Sequence, residues 1–195
     1  MNLCEESEEK KDYLDRIVKT VDFMKDLIEN VIFIGKTDTS KLSTNPTVIN
    51  LAEFCRGLIN DFQLTLNTKR IINFNYKSGA SKINIDSKLL KHVLINLISN
   101  AIKYSPDDKP VDFEVSADNS HLLFTIRDYG IGIPDDEQAH IFELFYRGRN
   151  VGNVSGTGLG MSVVQRSIET LEGSIEFYSK VNLGTTFRIS IPIND

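Results

Sequence analysis

Apolar residues recur at steps of three and four through Leu14, Ile17, Val21, Met24, Ile28 and Val31, with Asp15, Lys19, Asp22 and Lys25 between them. That spacing is a heptad seam and predicts a helix ended by Gly35. Such a helix either packs its stripe on its own domain or shares it with a second subunit in a bundle, because a narrow seam outside the main domain needs a partner to cover it. The polar stretch "TDTSKLSTNPT" over 37–47, containing Pro46, reads as a linker.

Beyond the linker the period changes several times. "VINLAEFCRGLINDFQ" has a helical pattern, and "IINFNY" and "KINID" are short strand candidates. "SKLLKHVLINLISNAIKYS" predicts a strong helix that stops before Pro106. "VDFEVSA" and "HLLFTIRD" alternate apolar and polar positions around an Asp118-Asn119-Ser120 turn. A short helix near Asp135 to Leu144, a glycine-rich segment, the helix "LGMSVVQRSIETL" and the hairpin "GSIEFYSK" with "GTTFRISIPI" complete the pattern. The implied fold is α+β: a two-layer α/β sandwich of a mixed, mostly antiparallel sheet with helices on one face, preceded by the long helix. No internal repeat is visible.

Composition narrows the classes. The chain has 195 residues, 41% of them hydrophobic, enough for one ordinary domain and an extra element. A net charge of -5 supplies no basic stripe, which argues against a nucleic-acid partner. No segment approaches the length of a membrane span, and the acidic start "MNLCEESEEKK" lacks the apolar core of a signal peptide. Cys4 and Cys55 make no metal spacing and fit a reducing compartment. These features predict a cytoplasmic chain.

Four stretches carry candidate chemistry. "VSGTGLGMSVV" places Gly156, Gly158 and Gly160 ahead of a helix, which suits either a structural turn or a phosphate cradle. It is neither a P-loop nor a dinucleotide fingerprint. In the strong helix, Asn96, Asn100 and Lys103 share one face while Leu90, Val93, Leu94, Leu97 and Ala101 cover another. Asparagine is a mediocre helix former, so two of them on one stripe point to ligand binding, with an amide oxygen for Mg²⁺ and an ammonium for phosphates. Asp128 has the parity of Leu122, Phe124 and Ile126, which aims an acid inward where a donor such as the exocyclic amine of adenine would meet it. An Asp that merely ends a strand before the turn at Gly130 and Gly132 is the plainer alternative. "IFELFYRGRN" brings Arg147 and Arg149 to the edge of the glycine segment, and its Phe142, Phe145 and Tyr146 suit an ordinary core. Arg147 to Thr157 has few apolar residues and reads as a lid.

In chain order, "INLISNAIKYSP", "DYGIGIP", "IFELFYRGRN", "GTGLGMSVV" and "GTTFRISIP" resemble the N box, first glycine box, F box, second glycine box and third glycine box of the sensor histidine kinases of two-component systems. Their catalytic domain belongs with the ATPases that include gyrase, the Hsp90 chaperones and MutL. The resemblance implies ATP and Mg²⁺ as ligands. It places Asn100 on the metal, Asn96, Lys103 and Arg147 at the phosphates, and Tyr104 and Asp128 with Gly130, Gly132 and Ile133 about the adenine. Gly156, Thr157, Gly158, Leu159 and Gly160 would hold phosphates, with Thr185 and Thr186 from the third glycine box completing the nucleotide site.

By the same resemblance, 1–36 is the second helix of a dimerisation hairpin, 37–46 a linker and 47–195 the ATP-binding catalytic domain. The chain would be part of a longer protein, with room for a membrane anchor upstream. The expected reaction moves the γ-phosphoryl of ATP to a histidine on the missing first helix, for relay to the receiver domain of a response regulator. A homodimer would form through the N-terminal helix. His92, His121 and His140 are the only histidines, and none has the His-Glu or His-Asp context of a phosphoacceptor. Relatives that hydrolyse ATP carry a Glu at position 96, whereas Asn96 cannot take a proton from water. The alternative is a degenerate nucleotide-binding or dimerisation module without kinase activity.

Overall fold

A computed structural model of the chain describes residues 44–65, 71–77, 82–118, 120–152, 154 and 156–193. Of the N-terminal stretch it describes 10, 13, 14, 17, 18, 20, 21, 24, 25 and 27–35.

Two sheets form. Strand β1 (Thr47–Asn50) pairs antiparallel with β3 (Lys82–Ile85), Thr47 facing Ile85 and Asn50 facing Lys82. The larger sheet has the order β2-β4-β5-β7-β6, built from β2 (Ile72–Tyr76), β4 (Val111–Ala117), β5 (His121–Arg127), β6 (Ser174–Lys180) and β7 (Gly184–Pro192). Only β2 and β4 run parallel, and every other neighbour in that sheet is antiparallel. Helices α1 (Leu51–Thr65), α2 (Ser87–Tyr104) and α3 (Gly160–Thr170) supply the second layer, so the α+β sandwich expected from the sequence is the fold observed.

The alternating strands deliver one face to the core: Val111, Phe113 and Val115 from β4, Leu122, Phe124 and Ile126 from β5, and Phe187, Ile189 and Ile191 from β7. Helix α2 answers with Leu90, Val93, Leu94, Leu97 and Ile98, each at most 1% exposed. A side chain so buried contributes roughly 1.5–3 kcal/mol, and trimming Leu94 to Ala is expected to cost about 2–5 kcal/mol. Helix α3 adds Val163, Val164 and Ile168 to the same core.

Local chemistry sets the ends of these elements. Asp86 caps α2, its Oδ1 accepting from the N–H of Lys88 (3.0 Å) and Leu89 (3.1 Å), while its Oδ2 accepts from Asn45 N at 2.9 Å. The chain just before β1 is thereby tied to the start of α2. In the β4–β5 turn, Asp118 Oδ1 accepts from the backbone of Ser120 and His121, and those donors hold its carboxyl below the usual range.

Two sequence expectations are corrected. The stretch from Val48 to Asn50, read as the start of a helix, is strand β1, because β3 offers it a hydrogen-bonding edge that no local pattern reveals. The short helix expected near Asp135 to Leu144 reduces to one 3₁₀ turn at Gln138–His140. Phe145, at φ +62, lies in the left-handed region just beyond it, where a helix cannot continue.

Residues 27–35 are helical. Phe33 is buried and lies 5.1 Å from the His92 ring of α2, and Ile34 packs on the same core. The seam residues Leu14, Ile17, Val21, Met24, Ile28 and Val31 are all exposed. Most of the linker and the start "EESEE" lie outside the described residues.

Candidate functional site

One cavity of about 900 Å³ opens between α2, the loop after β5, the segment before α3 and the start of β7. Helix α2 presents Asn96, Asn100, Lys103 and Tyr104 to it, the polar stripe that its helical period separates from the buried stripe. Asn96 is oriented by its Nδ2, which donates to His92 O one turn earlier at 2.8 Å. Asn100 Nδ2 donates to the Sδ of Met161 at 3.4 Å, across the cavity on α3.

At the end of β5, Asp128 is 7% exposed and turned into the cavity, as strand alternation requires. Burial raises its pKa, and the N–H groups of Gly130 and Thr185 pull it back down. Gly130 N donates to Asp128 Oδ1 at 2.8 Å. Gly130 itself does not line the cavity: a Cβ there would overlap the Tyr104 carbonyl oxygen, so its smallness lets the loop pass beneath the end of α2. The Tyr104 hydroxyl is raised by burial and lowered by the nearby Arg147 charge. Gly132 and Ile133 line the wall, where Ile133 N donates to Ser179 Oγ (2.8 Å), which also bonds Thr185 Oγ1 (2.8 Å).

The opposite end is made by the glycine segment. Gly156, Thr157, Gly158 and Gly160 line the cavity at the N-terminus of α3, where unpaired backbone donors gather. A Cβ on Gly160 would sit 2.7 Å from Asn96 Oδ1, so this glycine allows α3 to start against the asparagine. Leu159 is buried outright instead of lining the site, and its N–H donates to Thr157 Oγ1 at 3.2 Å. Arg147 lines the cavity, and its guanidinium reaches the carbonyl of Val154.

The structure thus brings together Asn96, Asn100, Lys103, Tyr104, Asp128, Gly132, Ile133, Arg147, Gly156, Thr157, Gly158, Gly160 and Thr185. Gly130, Leu159 and Thr186 stand outside the lining, Thr186 lying within β7 opposite Arg127 and Tyr178. Sequence reading missed Ser99, Glu137, Asn150 and Met161 in the wall. Ser99 follows from the helical period, but the others depend on loops whose partners are distant in sequence. Thr20 and Asn30 also reach the cavity, so the N-terminal helical stretch borders it.

The three histidines sit elsewhere. His92 has its pKa lowered by burial against Phe33, with Glu29 and Asp86 opposing, His121 opens β5, and His140 bonds Glu143 at 2.7 Å. Among the described residues no group of three or more His, Cys, Asp or Glu side chains is placed to hold a metal ion. No described helix is long and apolar enough to cross a membrane. A cavity with an inward acid at one end and amides, cations and a helix N-terminus at the other suits a ligand with a donor-bearing ring and a polyanionic tail.

Comparison with known proteins agrees with that chemistry. The model of the histidine kinase-, DNA gyrase B-, and HSP90-like ATPase family matches residues 85–195. The chain is 29% identical to the signal transduction histidine-protein kinase ArlS of Staphylococcus aureus, over 90% of this chain and 38% of ArlS. It is 27% identical to the autoinducer 2 sensor kinase/phosphatase LuxQ of Vibrio parahaemolyticus, over 97% of this chain and 23% of LuxQ. It therefore spans well under half the length of these relatives. Full-length ShkA, solved with AMPPNP, shares the fold with a TM-score of 0.78 at 21% identity, over 95% of this chain and 39% of ShkA.

Proposed function

The chain belongs to the histidine kinase-, DNA gyrase B-, and HSP90-like ATPase family, and on that footing we propose that it is the ATP-binding catalytic part of a two-component sensor histidine kinase. The observation that carries this reading is the convergence of Asp128, the α2 stripe and the glycine segment on one cavity of about 900 Å³. Its adenine end is Asp128, whose carboxylate accepts from the exocyclic amine of the base. Its phosphate end is Asn96, Lys103, Arg147 and the N-terminus of α3.

The residues fit a magnesium nucleotide. Asn100 offers one neutral oxygen, the remainder coming from phosphates and water, as Mg²⁺ prefers. The ion would supply positive charge to the phosphates when bound. A neutral imidazole attacks the γ-phosphorus through its nitrogen lone pair, the bond to the β–γ bridging oxygen breaks, and ADP leaves. Lys103 and Arg147 hold the phosphates in line, and Asn96 activates no water, so hydrolysis is slow.

The acceptor lies outside this sequence. The exposed seam from Leu14 to Val31 supports pairing with a second helical hairpin in a homodimer, with 1–36, 37–46 and 47–195 as helix, linker and catalytic domain. A receiver domain would take the phosphoryl onward, in the cytoplasm. The test is incubation with γ-labelled Mg-ATP, with and without a supplied acceptor helix carrying its histidine. Acid-labile, base-stable label on the acceptor alone is expected. Nucleotide binding without any transfer would favour a binding module instead.

A further inference from the structure

We propose that Glu137 is a positioning residue that anchors the first part of the glycine-rich segment to the cavity rim and thereby places Arg147; the proposal rests on the nucleotide reading of the site. Glu137 is 3% exposed. A carboxylate so placed requires donors, and most come from Arg149, twelve positions on, with the Tyr146 hydroxyl as a further side-chain partner. Its Oε1 and Oε2 each accept from Arg149 N at 3.1 Å, and Oε1 accepts from Arg149 Nε at 2.6 Å. Arg149 also pairs with Asp136, and its donors hold the Glu137 carboxyl below the usual range.

The neighbours of Arg149 are fitted to this contact. A Cβ on Gly148 would come within 2.7 Å of Glu137 Oε2, so glycine lets the carboxylate reach the backbone behind it. Asn150 Nδ2 donates to Gly132 O at 2.9 Å, a second tie to the opposite wall. Between them the 3₁₀ turn Arg149–Val151 is held on the rim. Arg147 therefore leaves a fixed point at Gly148 on one side and the left-handed Phe145 on the other, and Phe145 is itself in close backbone contact with Gly158. With both flanks fixed, its guanidinium enters the phosphate end of the cavity without a large ordering cost.

This places an anchored stem inside the stretch that the sequence pattern reads as a lid. Glu137→Gln leaves one acceptor oxygen and turns an amide N–H₂ toward Arg149. Three measurements decide: thermal melting, amide exchange at Arg149 by NMR, and calorimetric affinities for adenosine and a non-hydrolysable ATP analogue. The Arg149 amide is expected to be protected without ligand in the natural protein and to exchange at least tenfold faster in the variant, whose melting is cooperative. Analogue affinity is expected to fall about tenfold while adenosine affinity stays within twofold. Arg149→Ala, at an exposed side chain, should give a smaller loss in the same direction, and Glu137→Asp a partial return. An unprotected Arg149 amide, unchanged exchange in Glu137→Gln, or equal losses for adenosine and the analogue would overturn the proposal. Failure of the natural protein to bind the analogue would sink the nucleotide reading, and Arg147 placement with it, while the exchange data still decide the anchor.

Discussion

The side-chain amide of Asn100 donates through Nδ2 to the Sδ of Met161, 3.4 Å away, joining α2 to the first turn of α3 across the cavity. An amide is planar, so holding its nitrogen also fixes its oxygen. We predict that Met161→Leu, a volume-conserving change, alters stability by less than about 1.5 kcal/mol. Mg-ATP analogue affinity should fall roughly two- to fivefold, the worth of a weak hydrogen bond. Asn100→Ala should do more, and should weaken the magnesium complex far more than the metal-free nucleotide. Equal losses with and without Mg²⁺ in calorimetry would make Asn100 structural.

Asp128 separates binding from stability. Its folded pKa lies above the ordinary carboxylate value, so the folded chain holds a proton that the unfolded chain has released. Stability attributable to this group therefore falls as pH rises through that acidic window, and the ionised carboxylate remains a cost above it. Asp128→Asn should flatten that slope and, by removing the buried charge, raise neutral-pH melting. It should cost about tenfold or more in adenine-nucleotide affinity, because a charge-assisted hydrogen bond is worth roughly 1.5–3 kcal/mol. Melting curves across acidic pH together with calorimetry check both halves, and unchanged affinity would refute the adenine contact.

Two glycines should fail differently. Gly160→Ala pushes against Asn96 Oδ1, the end of a side chain, whereas Gly130→Ala pushes against the Tyr104 backbone. The first is expected to lower nucleotide affinity with cooperative melting retained. The second should cost about 1–3 kcal/mol of stability, as overpacking does. Reversal of that order would mean that α3 does not start against Asn96 as described.

The thiol of Cys55 is fully buried on α1, and burial pushes its pKa up to about 12. A thiolate is the reactive species, so iodoacetamide at neutral pH should leave Cys55 unmodified until the domain unfolds. Peptide mapping after native labelling tests this. Alkylated Cys55 in otherwise folded protein would show that α1 opens from the core.

What the sequence made legible follows from how local each signal is. Helix α2 and strands β4 and β5 are written in periods of 3.6 and 2, and one residue slip would expose their cores, so their faces and the inward Asp128 could be read directly. Strand β1 could not, because Thr47–Asn50 is a strand only by virtue of β3, more than thirty residues away. Glu137 with Arg149 escaped because the pair meets across a loop that carries no period, and Asn100 with Met161 because the two helices that carry them meet only in the folded chain. The helix expected at Asp135 to Leu144 shows the converse, a local pattern overruled by the left-handed turn at Phe145.

Strands β5 and β7 are hydrogen-bonded neighbours, Arg127 opposite Thr186, although the whole of 128–183 lies between them. Bringing the ends of so long an excursion together costs chain entropy that is returned only when the two strands zip. The cavity therefore assembles late, after a slow, non-local pairing, and a nascent chain must be made through β7 before it can grip a ligand. Once zipped, the pair holds both ends of the excursion side by side, so residues can be inserted or deleted near Gly152, where an added Cβ would meet nothing within 4 Å, without disturbing the sheet.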